Sequence, residues 1–197
     1  MKTRFVATGI SILIIITGLT PLSLAQDKKA PNKERIGIYD SRAVAIASAG
    51  SPYFKKNLQD LQAKHRKAKE AGDEQEVRKL EAQGQAWQKQ MHRQGFSTAP
   101  VDDILAHIAD SLPKIRESNN VSVLVSKWDK AELAKHPGAE QVDVTMQLVD
   151  ALQPGDQQRK FAIEAQKHAP IPLEQADKIE QEESKQGQNR KANKPKQ

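Results

Sequence analysis

Five histidines, at positions 65, 92, 107, 136 and 168, are the side chains best placed to move protons or bind metal near neutral pH. Asp103 and His107 are four residues apart, so a helix would set them on one face as two metal ligands. The simpler reading, preferred here, is a capping aspartate and a surface imidazole. His65 and His92 do not converge if the chain folds back near Gly72, because His65 then faces the region of Leu80. Gly95-Phe96-Ser97 has part of a nucleophile elbow, but it lacks the following x-Gly and sits between two predicted helices rather than after a strand. The ten glycines are scattered and form no phosphate-binding loop, and cysteine is absent, which removes disulfides and thiolate metal sites. These residues point away from an enzyme: no catalytic residue, cofactor or metal ligand is expected.

Charge is the other chemistry available. Lysines and arginines crowd Ser51–Gln94, and most such sets are solvated faces with partners one helical turn away. The alternative is a binding surface. Its candidates are Lys64, Lys67, Arg78, Lys79 and Arg93, with Trp87, whose first reading is core, as an aromatic contact.

That stretch must position them, and it reads as a helical hairpin. Phe54, Leu58, Leu61, His65 and Ala68 recur at steps of 4, 3, 4 and 3, and Val77, Leu80, Gly84, Trp87 and Met91 at steps of 3, 4, 3 and 4. Each series is a heptad-type seam. Ser51 caps the first arm with Pro52 at its first position, Ala71-Gly72 ends it, and Asp73 with Glu76 opens the second in the manner of a capping box.

The remaining elements are shorter. Arg35–Asp40 reads as a strand, and Ala43–Ala47 as either strand or helix. Gly95–Pro100 is a break, with Thr98 a candidate cap for a helix Val101–Leu112 that Pro113 kinks or ends. Val121–Val125 is the strongest strand, and Trp128–Gly138 is a charged loop with room for a helical turn. Val142–Thr145 reads as a third short strand, with Thr145 alternatively the cap of a helix that bears Met146, Leu148, Val149 and Leu152. Gln157–His168 reads as a short helix and Leu173–Glu183 as a frayed one.

Met1–Ala25 has the three parts of a secretory signal: Lys2 and Arg4, an apolar run centred on Ile14-Ile15-Ile16, and Ser23-Leu24-Ala25 before the cut. The run, about 15 residues, is short of the ~20 of a membrane span, which leaves an uncleaved anchor as the alternative. The expected organisation is therefore a signal peptide at 1–25, a flexible leader at 26–34, a folded domain at 35–153 carrying the hairpin 51–94, a short helix at 154–169 and a mostly disordered tail at 170–197. Removing Lys2 and Arg4 from the 31 cations leaves 29 against 25 anions, a net charge of +4. That excess suits acidic clients, anionic lipid or lipopolysaccharide, and is too dilute for nucleic acid. The fold class is α+β: a small β body with a protruding antiparallel helical, coiled-coil-type hairpin. A body this small, with short apolar strands, is expected to be protected by self-association.

In this order, the exported start, Arg35–Ser41, the charged hairpin, the helix Val101–Leu112, the strand Asn120–Val125 and the closing Val142–Val149 resemble the Skp-like (OmpH) family of periplasmic chaperones. The resemblance covers about Arg35 to Leu152. It implies a homotrimer with a shared β body and three hairpins around a cavity. It also implies ATP-independent holding of unfolded outer-membrane proteins in the periplasm, with the six residues above as the client-binding set. The competing class is an exported structural or adaptor protein whose hairpin pairs with one partner's helices.

Overall fold

The computed structural model describes residues 33–179 and 181–182. The expected signal peptide, most of the leader, and the tail from Glu183 onward lie outside the described residues.

Three short parallel strands form the centre, β1 (Arg35–Tyr39), β2 (Leu124–Ser126) and β3 (Glu140–Asp143), in the order β2-β1-β3. β1 is central, with Gly37 opposite both Leu124 and Val142. Glycine is required there by close approach. A Cβ at position 37 would lie 2.8 Å from Leu124 Cδ2 and 3.2 Å from methyls of both Val121 and Val144.

β1 runs directly into α1 (Ser41–Ser48), which settles the open reading of Ala43–Ala47 as helix. The cause is Asp40: its carboxylate accepts the Arg42 N–H at 3.0 Å and caps the helix. Alanines at 43, 45 and 47 let neighbours approach closely, and α1 becomes the buried centre of the helical layer. Around it pack α7 (Thr145–Ala151), α8 (Asp156–Ala165) and the base of the hairpin, α2 (Pro52–Glu70) with α3 (Glu74–Phe96). Val44, Leu148, Val149, Ile104, Ile115 and Ala162 belong to one continuous core.

The segment after the hairpin departs from expectation in three places. α3 continues through Gly95, so the break begins only at Ser97. The next helix starts at Asp102 with no side-chain cap, and Thr98 does not serve as one. Most notably, the single helix Val101–Leu112 is divided into α4 (Asp102–Leu105), a 3₁₀ stretch (Ala106–Ser111) and α5 (Leu112–Asn119). Of the two outcomes expected at Pro113 the kink is the one found: the helical path bends at Ile108, and Pro113 lies in the first turn of α5 and does not end the helix. Having no N–H to give to Ala109, it is accommodated by the tighter 3₁₀ turns and by a non-helical Ile108 at φ −120°. The result keeps Ile104, Leu105, Ile108 and Ile115 all facing the core.

The strand expected at Val121–Val125 is regular only from Leu124, although the Ser122 N–H and Val123 O already bond to Arg35 and Gly37 of β1. Asn120 ends α5 in the left-handed region, at φ 51°, and Val121 then turns inward and is buried. The third strand is displaced likewise, to Glu140–Asp143, and α6 (Lys130–Leu133) supplies the helical turn in the charged loop. Thr145 begins α7 without capping it; its hydroxyl instead accepts the N–H of Asp40, the residue between β1 and α1, at 3.0 Å. The chain is thus mixed helix and sheet. Among the described residues, no helix is long and apolar enough to cross a membrane.

Candidate functional site

Several residues of the two seams read from sequence meet between α2 and α3, but Leu58 does not belong to the contact and is 37% exposed. Phe54 and Trp87 pack ring to ring with centroids 4.8 Å apart. A Cβ on Gly84 would sit 3.6 Å from Leu61, and His65 Nε2 lies 3.4 Å from Glu81 Oε1. Ala68 and Leu80 are the buried apolar residues nearer the tip. The caps are formed as the sequence requires: Ser51 Oγ accepts from Phe54 N and Asp73 Oδ1 from Glu76 N, while Gly72 takes φ +70° in the turn.

The six candidate residues do not form one patch. Lys64 and Lys67 are exposed on α2, and neither has an ion pair among the described residues. Arg78 and Lys79 are also exposed, but each reaches a carboxylate on its own helix, Glu74 at 3.2 Å and Glu76 at 3.1 Å. Trp87 is half-buried on the seam against Phe54, further along the arm. Arg93 is at the base, where its guanidinium binds Asp177 at 2.9 Å.

The two arms therefore differ. α2 carries six cations and two acids, a net +4, whereas α3 carries four cations and three acids, a net +1. Lys55, Arg66 and Lys69 share with Lys64 and Lys67 the absence of an ion pair among the described residues, so most uncompensated charge lies along α2.

The base is held by contacts that sequence reasoning missed. Ile171 donates its N–H to Phe96 O at 3.0 Å and bridges Ser97, and a helical segment at 173–179 presents Asp177 to Arg93. Ser97 is fully buried; its hydroxyl donates to Arg93 O and accepts from Ala99 N, which ends α3. At the carboxyl ends of the strands, Arg42 and Asp40 form a buried pair at 2.8 Å, with side chains only 5% and 2% exposed. Arg42 also donates to His168 O at 2.8 Å, and Trp128 Nε1 donates to Asp40 at 3.2 Å. The guanidinium lies 5.2 Å from the Trp128 ring centre. Asp143 accepts from Lys127 and Thr145. Burial pushes its pKa up, but the hydrogen bonds and the lysine charge outweigh that and hold it below the usual aspartate value. The one available signal for this hub was Asp40-Ser41 standing just before a short apolar run, the pattern of a cap.

Asp103 and His107 do not act together. Asp103 accepts from Gln90 and Gln94, and His107 stacks on Tyr53 at 3.4 Å. Comparison with protein-family models, curated proteins and solved structures finds no match to this chain.

Proposed function

We propose that this chain is an exported, ATP-independent holdase of the Skp-like class, acting in the periplasm on unfolded outer-membrane proteins. The observation that carries the reading is the hairpin, closed on its own seam and bearing along α2 a row of cations without ion-pair partners among the described residues. Such a surface holds acidic, extended chains by many weak contacts and releases them without an energy source. In this reading three copies associate through their β bodies, and their hairpins act as coiled-coil-type arms around a shared space. Nineteen and twenty-three residues per arm give a reach of about 28–35 Å at ~1.5 Å per residue, which suits segments of a client better than a whole barrel.

The test is aggregation of an unfolded outer-membrane protein diluted from denaturant. The chain should suppress it at low salt and do so less well at high salt, since exposed charges are screened within about 8 Å at physiological ionic strength. Replacing Lys64, Lys67 and Arg78 together by glutamine should reproduce the high-salt behaviour. Absence of suppression at several-fold excess sinks the proposal. One dominant partner in a crosslinked pulldown, in place of many clients, favours the adaptor instead.

A further inference from the structure

The last turns of α3, where the hairpin joins the body, are gripped from two directions. Gln90 and Gln94 share one side of the helix, and both donate their side-chain amides to the Asp103 carboxylate of α4, each at 2.7 Å. Arg93 lies about 100° round the helix from Gln94, at ~3.6 residues per turn. Its guanidinium meets Asp177 at 2.9 Å. Further on, Phe96 O accepts the Ile171 N–H at 3.0 Å. The first clasp belongs to the element that follows the hairpin. The second belongs to a segment far along the chain.

That segment has one fixed end and one loose end. At the fixed end Arg42, which is 4% exposed, donates to His168 O at 2.8 Å. Pro170-Ile171-Pro172 follows. Proline has no N–H, so Ile171 carries the one backbone donor of the three. As the residue before a proline, Ile171 is also confined to extended backbone. It gives its N–H to Phe96 and forms an isolated parallel bridge with Ser97. At the loose end the Arg93 and Asp177 side chains remain 44% and 40% exposed. An ion pair with that much access to water is weak. The segment therefore starts at a buried, fully engaged guanidinium and ends at a solvated pair.

We propose that residues 168–179 are a latch that sets the angle of the hairpin. Fastened, it stops the arm from rocking about the Asp103 clasp; unfastened, it lets the arm swing. The lever is long. α3 has 23 residues, about 34 Å at ~1.5 Å per residue, so a rotation of about 10° at its base carries the tip ~6 Å. Ile171, Arg93 and Asp177 lie outside the core cluster, so the latch can open without opening the body. The inference holds whatever the arm binds and does not rest on the holdase reading.

The chain has no cysteine, so spin labels can be placed by Glu70→Cys at the exposed end of α2 and Glu117→Cys on the exposed side of α5. Pulsed electron resonance then reads the tip-to-body distance in residues 26–197, and one narrow distribution is expected. Ile171→Pro with Asp177→Arg removes the backbone donor and sets two cations against each other. The distribution should then widen by about 6 Å, the displacement of a ~10° swing. Hydrogen exchange in the same variant should quicken at 173–179 while β1 and α1 amides keep their protection. Adding Arg93→Asp to Asp177→Arg alone reverses the ion pair and should return the narrow distribution; if it does not, the pair is not the fastening. An unchanged width with fast exchange at 173–179 would overturn the proposal by placing the angle wholly in the Asp103 clasp. Undiminished protection at 173–179 would overturn it by showing that other contacts hold the segment. Loss of protection in β1 would do so by making the segment part of the body's core.

Discussion

Arg42 and Lys67 show two ways in which this chain uses positive charge. Arg42 is 4% exposed, and its guanidinium is spent on Asp40 and His168 O beside the Trp128 ring. Lys67 is exposed on α2 and has no ion pair among the described residues. The first charge was taken out of water and is tolerable only because its partners are in place. The second was left in water, where it costs little and adds little to stability. The body therefore concentrates its specificity in a few satisfied polar groups, while the hairpin spreads many weak ones over a solvated surface. A region built in the first way resists change, and one built in the second can alter its partners without altering its fold.

The largest effect should come from removing one side of the buried pair. Asp40→Ala leaves Arg42 charged and buried, uncaps α1 and frees Trp128 Nε1, and should cost about 3–5 kcal/mol by denaturant melt. Arg42→Met keeps the packing of the side chain but leaves the Asp40 carboxylate buried without its cation, so it should destabilise as well. If both substitutions leave the midpoint within experimental error, the pair does not anchor the body. Next in size is Leu80→Ala. Leu80 is 4% exposed on the seam, but a two-helix hairpin can collapse onto the gap, so about 2 kcal/mol is expected, at the low end for such truncations. The loss should appear in hydrogen exchange of α2 and α3 amides, with β1 amides still protected. Equal loss of protection in β1 would show that hairpin and body open as one unit.

The hairpin was legible because its determinants are local. Seam spacing, Ser51, Gly72 and Asp73 act within a few residues of themselves. β1 was legible for the same reason. The body was harder to read because its determinants are distant. The order β2-β1-β3 depends on Gly37 admitting methyls from positions 121, 124 and 144, which alternation along the chain does not report. The Val121–Val125 run looked like a uniform strand, yet the left-handed Asn120 redirected its first residue into the core. Pro113 marked a discontinuity correctly but gave no sign of which side the helix would occupy. Of the candidate site, the cations were visible; which of them find carboxylates was only partly so. Glu74 to Arg78 is a local step, whereas Arg93 to Asp177 depends on a distant segment that read as a frayed helix. The carboxyl-edge hub was legible only as a cap pattern at Asp40, since nothing in the residue type marks Arg42 as buried.

The smallest predicted effect tests the joint between the two regions. Ser51 is 2% exposed, donates its N–H to Ser48 O at 2.9 Å, and accepts Phe54 N–H on its hydroxyl at 3.1 Å. It thus belongs to the end of α1 and the start of α2 at once. Ser51→Ala should cost about 1 kcal/mol, the usual value of a lost N-cap. Where that energy is lost is the more informative result. Phe54, whose N–H is left unpaired, is the residue that packs on Trp87. If the body and hairpin are separable, exchange should quicken in the first turn of α2 and the Phe54–Trp87 contact should loosen, with α1 unaffected. If α1 quickens equally, the cap transmits between the regions, and the solvated arm would then be held at an angle set by the buried body.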